Sequence, residues 1–134
     1  MSSSQNHTVW IIEDDLDDRI LLQEAFIDTQ IPCTVSIFGD AFTALQQLGT
    51  CSTGQLPSII VSDYNMPVMN GAEFMEALCV HARYEPIKKI ILSTSTYLFD
   101  TEACLEKGAH AYFIKPSSYH KLVDVAFSIL SLSK

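Results

Sequence analysis

The feature that most constrains this chain is an alternation. Five short runs, TVWII (8–12), CTVSIF (33–38), SIIVSD (58–63), KIILS (89–93) and AYFI (111–114), are separated by segments with helical periodicity. Most of the runs are nearly continuous in apolar residues, as strands covered on both faces are. In DDRILLQEAFID, Leu21, Leu22, Ala25 and Phe26 recur at helix spacing behind Asp17 and Asp18, whose charges suit a helix N-terminus. DAFTALQQL stops at Gly49, and GAEFMEAL aligns Phe74, Ala77 and Leu78. The last helix carries the clearest stripe: Tyr119, Leu122, Val123, Ala126, Phe127 and Leu130. LFDTEACLEKG has only a weak stripe, which predicts a helix resting lightly on the sheet with much of itself exposed. Repeated β-α alternation means right-handed crossovers onto a parallel sheet with helices on both faces. In such sheets the working residues lie beyond the carboxyl ends of the strands.

A length of 134 residues makes one domain, and 48% hydrophobic against 18% charged residues is enough to fill one core. A formal charge of −8 argues against nucleic acid or an anionic membrane as a direct partner, and fits a protein that holds cations. The start, MSSSQNHTVWII, lacks a cationic segment and predicts a loose tail over residues 1–7 in place of a signal peptide, with the folded domain over 8–134. No apolar run approaches the roughly 18 residues that span a bilayer. Cys33, Cys51, Cys79 and Cys104 form no C-x-x-C pair, and read as reduced small hydrophobes in a cytoplasmic protein.

At the predicted strand ends stand Glu13, Asp14 and Asp15 after the first run, Asp63 after the third, Ser93 after the fourth and Lys115 after the fifth. Carboxylates about 4 Å apart repel by about 4 kcal/mol per pair at an effective dielectric of about 20, unless a cation sits among them. An all-oxygen set without His or Cys points to Mg²⁺, with Mn²⁺ or Ca²⁺ as substitutes. Taken singly, each residue has an ordinary explanation. The acidic triplet could be turn residues or caps, Asp63 an Asx-turn before Pro67, Ser93 or its neighbours Thr94, Ser95 and Thr96 an N-cap, and Lys115 a surface lysine. Independent caps, however, have no reason to coincide at the carboxyl ends of strands.

The set resembles the receiver domain of two-component response regulators, from about Val9 to about Leu132. IIEDD is similar to the family's acidic pair, at Glu13 and Asp14; VSDYNMPVMNG to its phosphoacceptor signature, at Asp63; ILSTS to its switch hydroxyl, at Ser93; and GAHAYFIKP to its switch aromatic and lysine, at Tyr112 and Lys115. The spacings, from Asp63 to Ser93 and from Ser93 to Lys115, are typical of it. Ser93 stands where Thr is more usual, Thr94 where Ala or Gly is frequent and Asn70 where Asp is common; Thr94 is expected to narrow access to the phosphoryl group.

The resemblance implies a flavodoxin-like, doubly wound five-stranded parallel α/β sheet, (βα)5, with strand order 2-1-3-4-5. It implies Mg²⁺ held by Asp14 and Asp63 directly, by Glu13 through water and by the backbone carbonyl of Asn65. Asp63 would accept a phosphoryl group from a sensor histidine kinase or a histidine phosphotransfer protein, with Lys115 and Ser93 meeting its oxygens. Ser93 and Tyr112 would then switch a face formed by 98–107, 111–114 and 118–132 toward a downstream protein or a second copy in a homodimer. The chain is expected to act as a stand-alone receiver, a signalling domain whose only chemistry is its own phosphorylation and dephosphorylation. Three alternatives compete. A phosphorylation-independent interaction module would be favoured by loss of Asp14, Asp63 or Lys115. An aspartate phosphatase generally wants a second acid where this chain has Asn65. A flavin-binding domain would need a phosphate-cradling loop where EDDLDD stands.

Overall fold

In a computed structural model, which describes residues 6–132, the five runs pair as one parallel sheet in the order β2-β1-β3-β4-β5. The strands are β1 (His7–Ile12), β2 (Cys33–Phe38), β3 (Ile59–Ser62), β4 (Lys88–Ser93) and β5 (Ala111–Ile114). The helices are α1 (Leu16–Asp28), α2 (Ala41–Thr50), α3 (Gly71–Cys79), α4 (Leu98–Glu106) and α5 (Tyr119–Ser131). The flavodoxin-like expectation holds, and the strand bounds differ from the sequence reading by at most one residue. The tail expected over 1–7 falls largely outside the described residues, and within them β1 already begins at His7. No helix among the described residues is long and apolar enough to cross a membrane.

Successive strand side chains point to opposite faces, so each strand feeds two cores. Val9, Ile11, Ile59, Val61, Ile90 and Leu92 pack with Leu22, Phe26, Ala126 and Ile129 of α1 and α5. Trp10, Ile12, Ile60 and Ile91 pack with Ala44, Leu48, Phe74 and Leu78 of α2 and α3, together with Cys104 of α4. Both faces are therefore dry, which is why the strand sequences read as continuous apolar runs. Side chains fully buried in this way contribute about 1.5–3 kcal/mol each.

Two of the expected stripes are narrower than their periodicity suggests. Leu21 is 43% exposed on α1, and Tyr119 and Phe127 of α5 are 39% and 52% exposed. Their neighbours Leu22, Phe26, Leu122 and Ala126 fill the shared face, leaving the flanking positions at its edge. The weak stripe of α4 is matched: only Cys104 is buried there, while Leu98 and Phe99 face outward at 67% exposure. The cysteines are free; Cys79 is exposed, and burial pushes the Cys104 thiol up to about 11.

The turn into β5 is tied by a histidine. His110 Nδ1 accepts a hydrogen bond from the backbone N–H of Lys89 at 2.9 Å, and His110 N–H donates to the Lys89 carbonyl at 2.7 Å. Nδ1 accepts only when it is unprotonated. Partial burial and the charges of Lys88 and Lys89 hold His110 below its ordinary 6.5. Since the folded value is the lower one, this tie is fully present above the unfolded value and is lost as pH falls through the window beneath it. Between about pH 7 and 5, the urea midpoint of the wild type is expected to fall further than that of His110→Asn. Equal falls would show that the tie is not pH-sensitive.

Candidate functional site

The sheet hydrogen bonding runs one residue past the strand ends, and there it fixes the candidate residues. Glu13 N–H donates to the Phe38 carbonyl at 3.0 Å, Asp63 N–H to Ile12 at 3.1 Å, and Lys115 N–H to Ser93 at 2.8 Å. The backbone of each is thus held by its neighbouring strand, which limits where its side chain can go. After Asp63 the chain turns back sharply, and Gly71 N–H donates to the Tyr64 carbonyl at 2.8 Å. A Cβ on Gly71 would lie 2.9 Å from the Tyr64 Cα and 3.0 Å from the Asp63 carbonyl oxygen, so only glycine lets α3 start this close to the acid. Asn70 caps α3 by accepting from Glu73 N–H at 2.9 Å, in keeping with a turn-facing role.

The side chains converge. Carboxylate oxygens of Glu13, Asp14 and Asp63 lie within 4.8 Å of one another. Lys115 Nζ donates to Glu13 Oε1 at 2.7 Å and to Asp18 Oδ2 at 2.9 Å, and stands 3.7 Å from Asp63 Oδ2. The side chains of Glu13, Asp63 and Lys115 are only 2%, 12% and 11% exposed, whereas Asp18 is 38% exposed. Asp14 reaches the cluster from an exposed position. Asp63 Oδ1 also accepts from Tyr64 N–H at 2.7 Å, which orients the carboxylate.

The electrostatics are unbalanced. Burial pushes Glu13 above its ordinary range, although the hydrogen bond and charge of Lys115 pull it down. For Lys115, burial opposes the charged form, but the hydrogen bonds to Glu13 and Asp18 and the charges of Asp63 and Glu13 outweigh it and hold the amine above its ordinary range. Four carboxylates (Glu13, Asp14, Asp18 and Asp63) face one ammonium, a formal −3. An all-oxygen group with that excess suits a hard divalent cation, and it offers neither the His nor the Cys that zinc sites favour.

The remaining residues fall as follows. Ser93 is fully buried at the end of β4, and its Oγ accepts from Ser95 N–H at 3.2 Å, so it is not the α4 cap; no side chain caps α4. Tyr112 sits half-buried in β5 with its hydroxyl donating to the Ser95 carbonyl at 2.9 Å. Asn65 and Thr94 are exposed on the loops after β3 and β4. Of the acidic triplet, Asp15 is the true N-cap of α1, accepting from Asp18 N–H at 3.0 Å, which leaves Glu13 and Asp14 for the cluster. Two participants went unread in the sequence. In the sequence Asp18 reads as helix-terminus charge and as acidity beyond the family's pair, and Ser95, which hydrogen-bonds both Tyr112 and Asp100, reads as a candidate cap. The second acidic pair, Asp17 and Asp18, was the one available signal for the former.

The family model described as "Response regulator receiver domain" matches residues 9–127. The chain is 28% identical over 132 residues to the two-component response regulator ARR3 of Arabidopsis thaliana, covering 93% of this chain and 54% of that protein. It spans about half to two thirds of the length of such curated plant relatives. Among solved structures, the phosphorylated cyanobacterial phytochrome response regulator RcpA superposes with a TM-score of 0.85 at 22% identity, over 96% of this chain and 94% of that one. The Mn²⁺-bound form of the response regulator Rcp1 superposes with a TM-score of 0.79 at 23% identity, over 93% and 92%. At these identities the two structures speak to the fold alone.

Proposed function

The chain belongs to the response regulator receiver domain family of two-component signalling, and on that premise we propose that Asp63 is its phosphoacceptor. The observation that carries this reading is the meeting of β1, β3 and β5 ends, with Lys115 3.7 Å from Asp63 and bonded to Glu13. The donor is a sensor histidine kinase or a histidine phosphotransfer protein. An Asp63 carboxylate oxygen attacks phosphorus, the phosphorus–nitrogen bond breaks, and the electron pair leaves with the imidazole, which takes up a proton. The receiver unit is taken as residues 8–134.

Glu13, Asp14 and Asp63, with the backbone carbonyl of Asn65, would hold Mg²⁺, for which Mn²⁺ or Ca²⁺ can substitute. When bound, the ion neutralises the acids and polarises a phosphoryl oxygen. Lys115 is a compact charge placed to pair with a second oxygen, and the Ser93 hydroxyl is available to donate to a third. The domain works as a signalling element and not as an enzyme acting on a separate substrate; the phosphorylation and dephosphorylation it catalyses are its own.

Signal output follows from the added charge. When Ser93 turns toward the phosphoryl group, its contact with Ser95 N–H is lost. The loop that accepts the Tyr112 hydroxyl at Ser95 then loosens, and Tyr112 moves inward. The exposed Leu98, Phe99, Ile114 and Phe127 lie within the face formed by 98–107, 111–114 and 118–132, which is the surface for a downstream protein or for a homodimer. Direct contact with nucleic acid or membrane plays no part, in keeping with the net charge of −8, and the site of action is the cytoplasm.

Incubation with a small acyl phosphate tests the reading. The protein is expected to gain a single phosphoryl group in the presence of Mg²⁺ and to gain none after a chelator has removed the ion. Equal gain in both conditions would contradict the assignment of the acid cluster.

A further inference from the structure

We propose that Asp18 is a positioning residue that holds Lys115 in a resting place shared with Glu13, and so sets how readily the amine meets a group carried on Asp63. The inference rests on the phosphoacceptor reading of Asp63 and concerns its regulation.

An ammonium has three N–H donors. Lys115 commits one to Glu13 at 2.7 Å and one to Asp18 at 2.9 Å, while Asp63 stands off at 3.7 Å. One donor remains, but to bring it onto a new anion at Asp63 the amine must move against the pull of the two carboxylates that hold it. The two anchors are unequal. Glu13 is buried at 2% exposure and belongs to the oxygen cluster that suits a cation. Asp18 is 38% exposed and lies outside that cluster, so its influence on Asp63 passes through Lys115. It is also the anchor that can be released at least cost, because water can replace the lysine.

The placement of Asp18 is built and not incidental. Its N–H donates to the N-cap Asp15 at 3.0 Å, which pins its backbone in the first turn of α1. The pair also spans two elements, tying α1 to the turn between β5 and α5. Asp18 and Lys115 line a small cleft there with Leu21, Leu22, Pro116 and Leu122. An ordinary exposed ion pair contributes little. This one differs because the shared amine is 11% exposed and has a second task. Asp18 thus acts as a latch whose release hands Lys115 to the phosphoryl group, and a partner covering the start of α1 could work it.

The experiment compares Asp18→Asn with Asp17→Asn, which removes the same charge from the same helical turn at an exposed residue without a bond to Lys115. The first readout is the ¹⁵N signal of the Lys115 ammonium in the unphosphorylated protein. It is expected to move in Asp18→Asn and to stay in place in Asp17→Asn; an unmoved signal in Asp18→Asn would overturn the latch. The second readout is the affinity for beryllofluoride, a phosphoryl mimic, with Mg²⁺ present. Asp18→Asn is expected to bind about fivefold tighter than wild type, Asp17→Asn like wild type, and the gain is expected to vanish in a Lys115→Met background. A gain that persists without Lys115, or no gain where the wild type binds beryllofluoride, would overturn the proposal. If beryllofluoride binds neither wild type nor variant while the ammonium signal still moves, the phosphoacceptor reading fails and the resting latch stands.

Discussion

Asp63→Asn is expected to take up no phosphoryl label from a small acyl phosphate, under conditions in which the wild type labels fully. The amide has no anionic oxygen to attack phosphorus, and no other carboxylate occupies its place. Glu13 is buried and bonded to Lys115, and Asp14 is exposed at the end of β1. The loss is one of chemistry and not of folding. Asp63 is one of the charges that raise Glu13, so neutralising it removes repulsion while Lys115 keeps Glu13 and Asp18. Without a divalent ion the variant is expected to be at least as stable as wild type, and to bind Mg²⁺ more weakly. Equal labelling of variant and wild type, read by intact mass, would remove Asp63 from the mechanism.

Lys115→Met should have the opposite profile. It removes the ammonium that the described residues place among these carboxylates and leaves Glu13, at 2% exposure, with a backbone N–H from Asp15 at 3.2 Å as the donor remaining among them. Removing one partner of a buried pair costs more than the pair contributed. Part of that cost is relieved by protonating Glu13, whose carboxyl already lies above its ordinary range. The metal-free variant is therefore expected to lose about 1–3 kcal/mol near neutral pH, less in acid. Added Mg²⁺ should recover much of the loss. Labelling should slow by roughly 10- to 100-fold, because a positive group aimed at the transferring oxygens is gone. Urea unfolding with and without Mg²⁺ checks the first part, and the time course of labelling the second. Wild-type stability together with wild-type labelling would mean that Lys115 is a spectator.

Most of the fold and much of the site were legible in the sequence, for a physical reason. Parallel strands buried on both faces must be apolar along their length, so runs such as SIIVS announce themselves, and the residue that ends each run is carried to one edge. That logic brings Glu13, Asp14, Asp63, Ser93 and Lys115 to one end of the sheet. What periodicity does not define is where a buried stripe stops. Leu21 and Phe127 lie at helix spacing from core residues, yet they end up outside because Leu22, Ala25 and Phe26 of α1 and Leu122, Ala126 and Ile129 of α5 already fill the buried face. Nor does it separate acids of equal chemistry. Whether Asp15, Asp14 or Glu13 caps α1 depends on the backbone angle at which the chain leaves β1. That Asp18 meets Lys115 depends on the approach of α1 to the β5–α5 turn, a contact between segments almost a hundred residues apart.

The central claim is that the phosphoryl group resides on one named carboxylate, and locating it is the most direct test. The wild-type protein labelled with an acyl phosphate and Mg²⁺ is digested under acidic conditions, which preserve an acyl phosphate, and the peptides are sequenced by tandem mass spectrometry. The label is expected on the peptide containing Pro57 to Gly71, at Asp63. A label at a histidine or another carboxylate would contradict the account, as would a folded, Mg²⁺-binding protein that takes none; the latter would leave a receiver fold that serves only to bind partners.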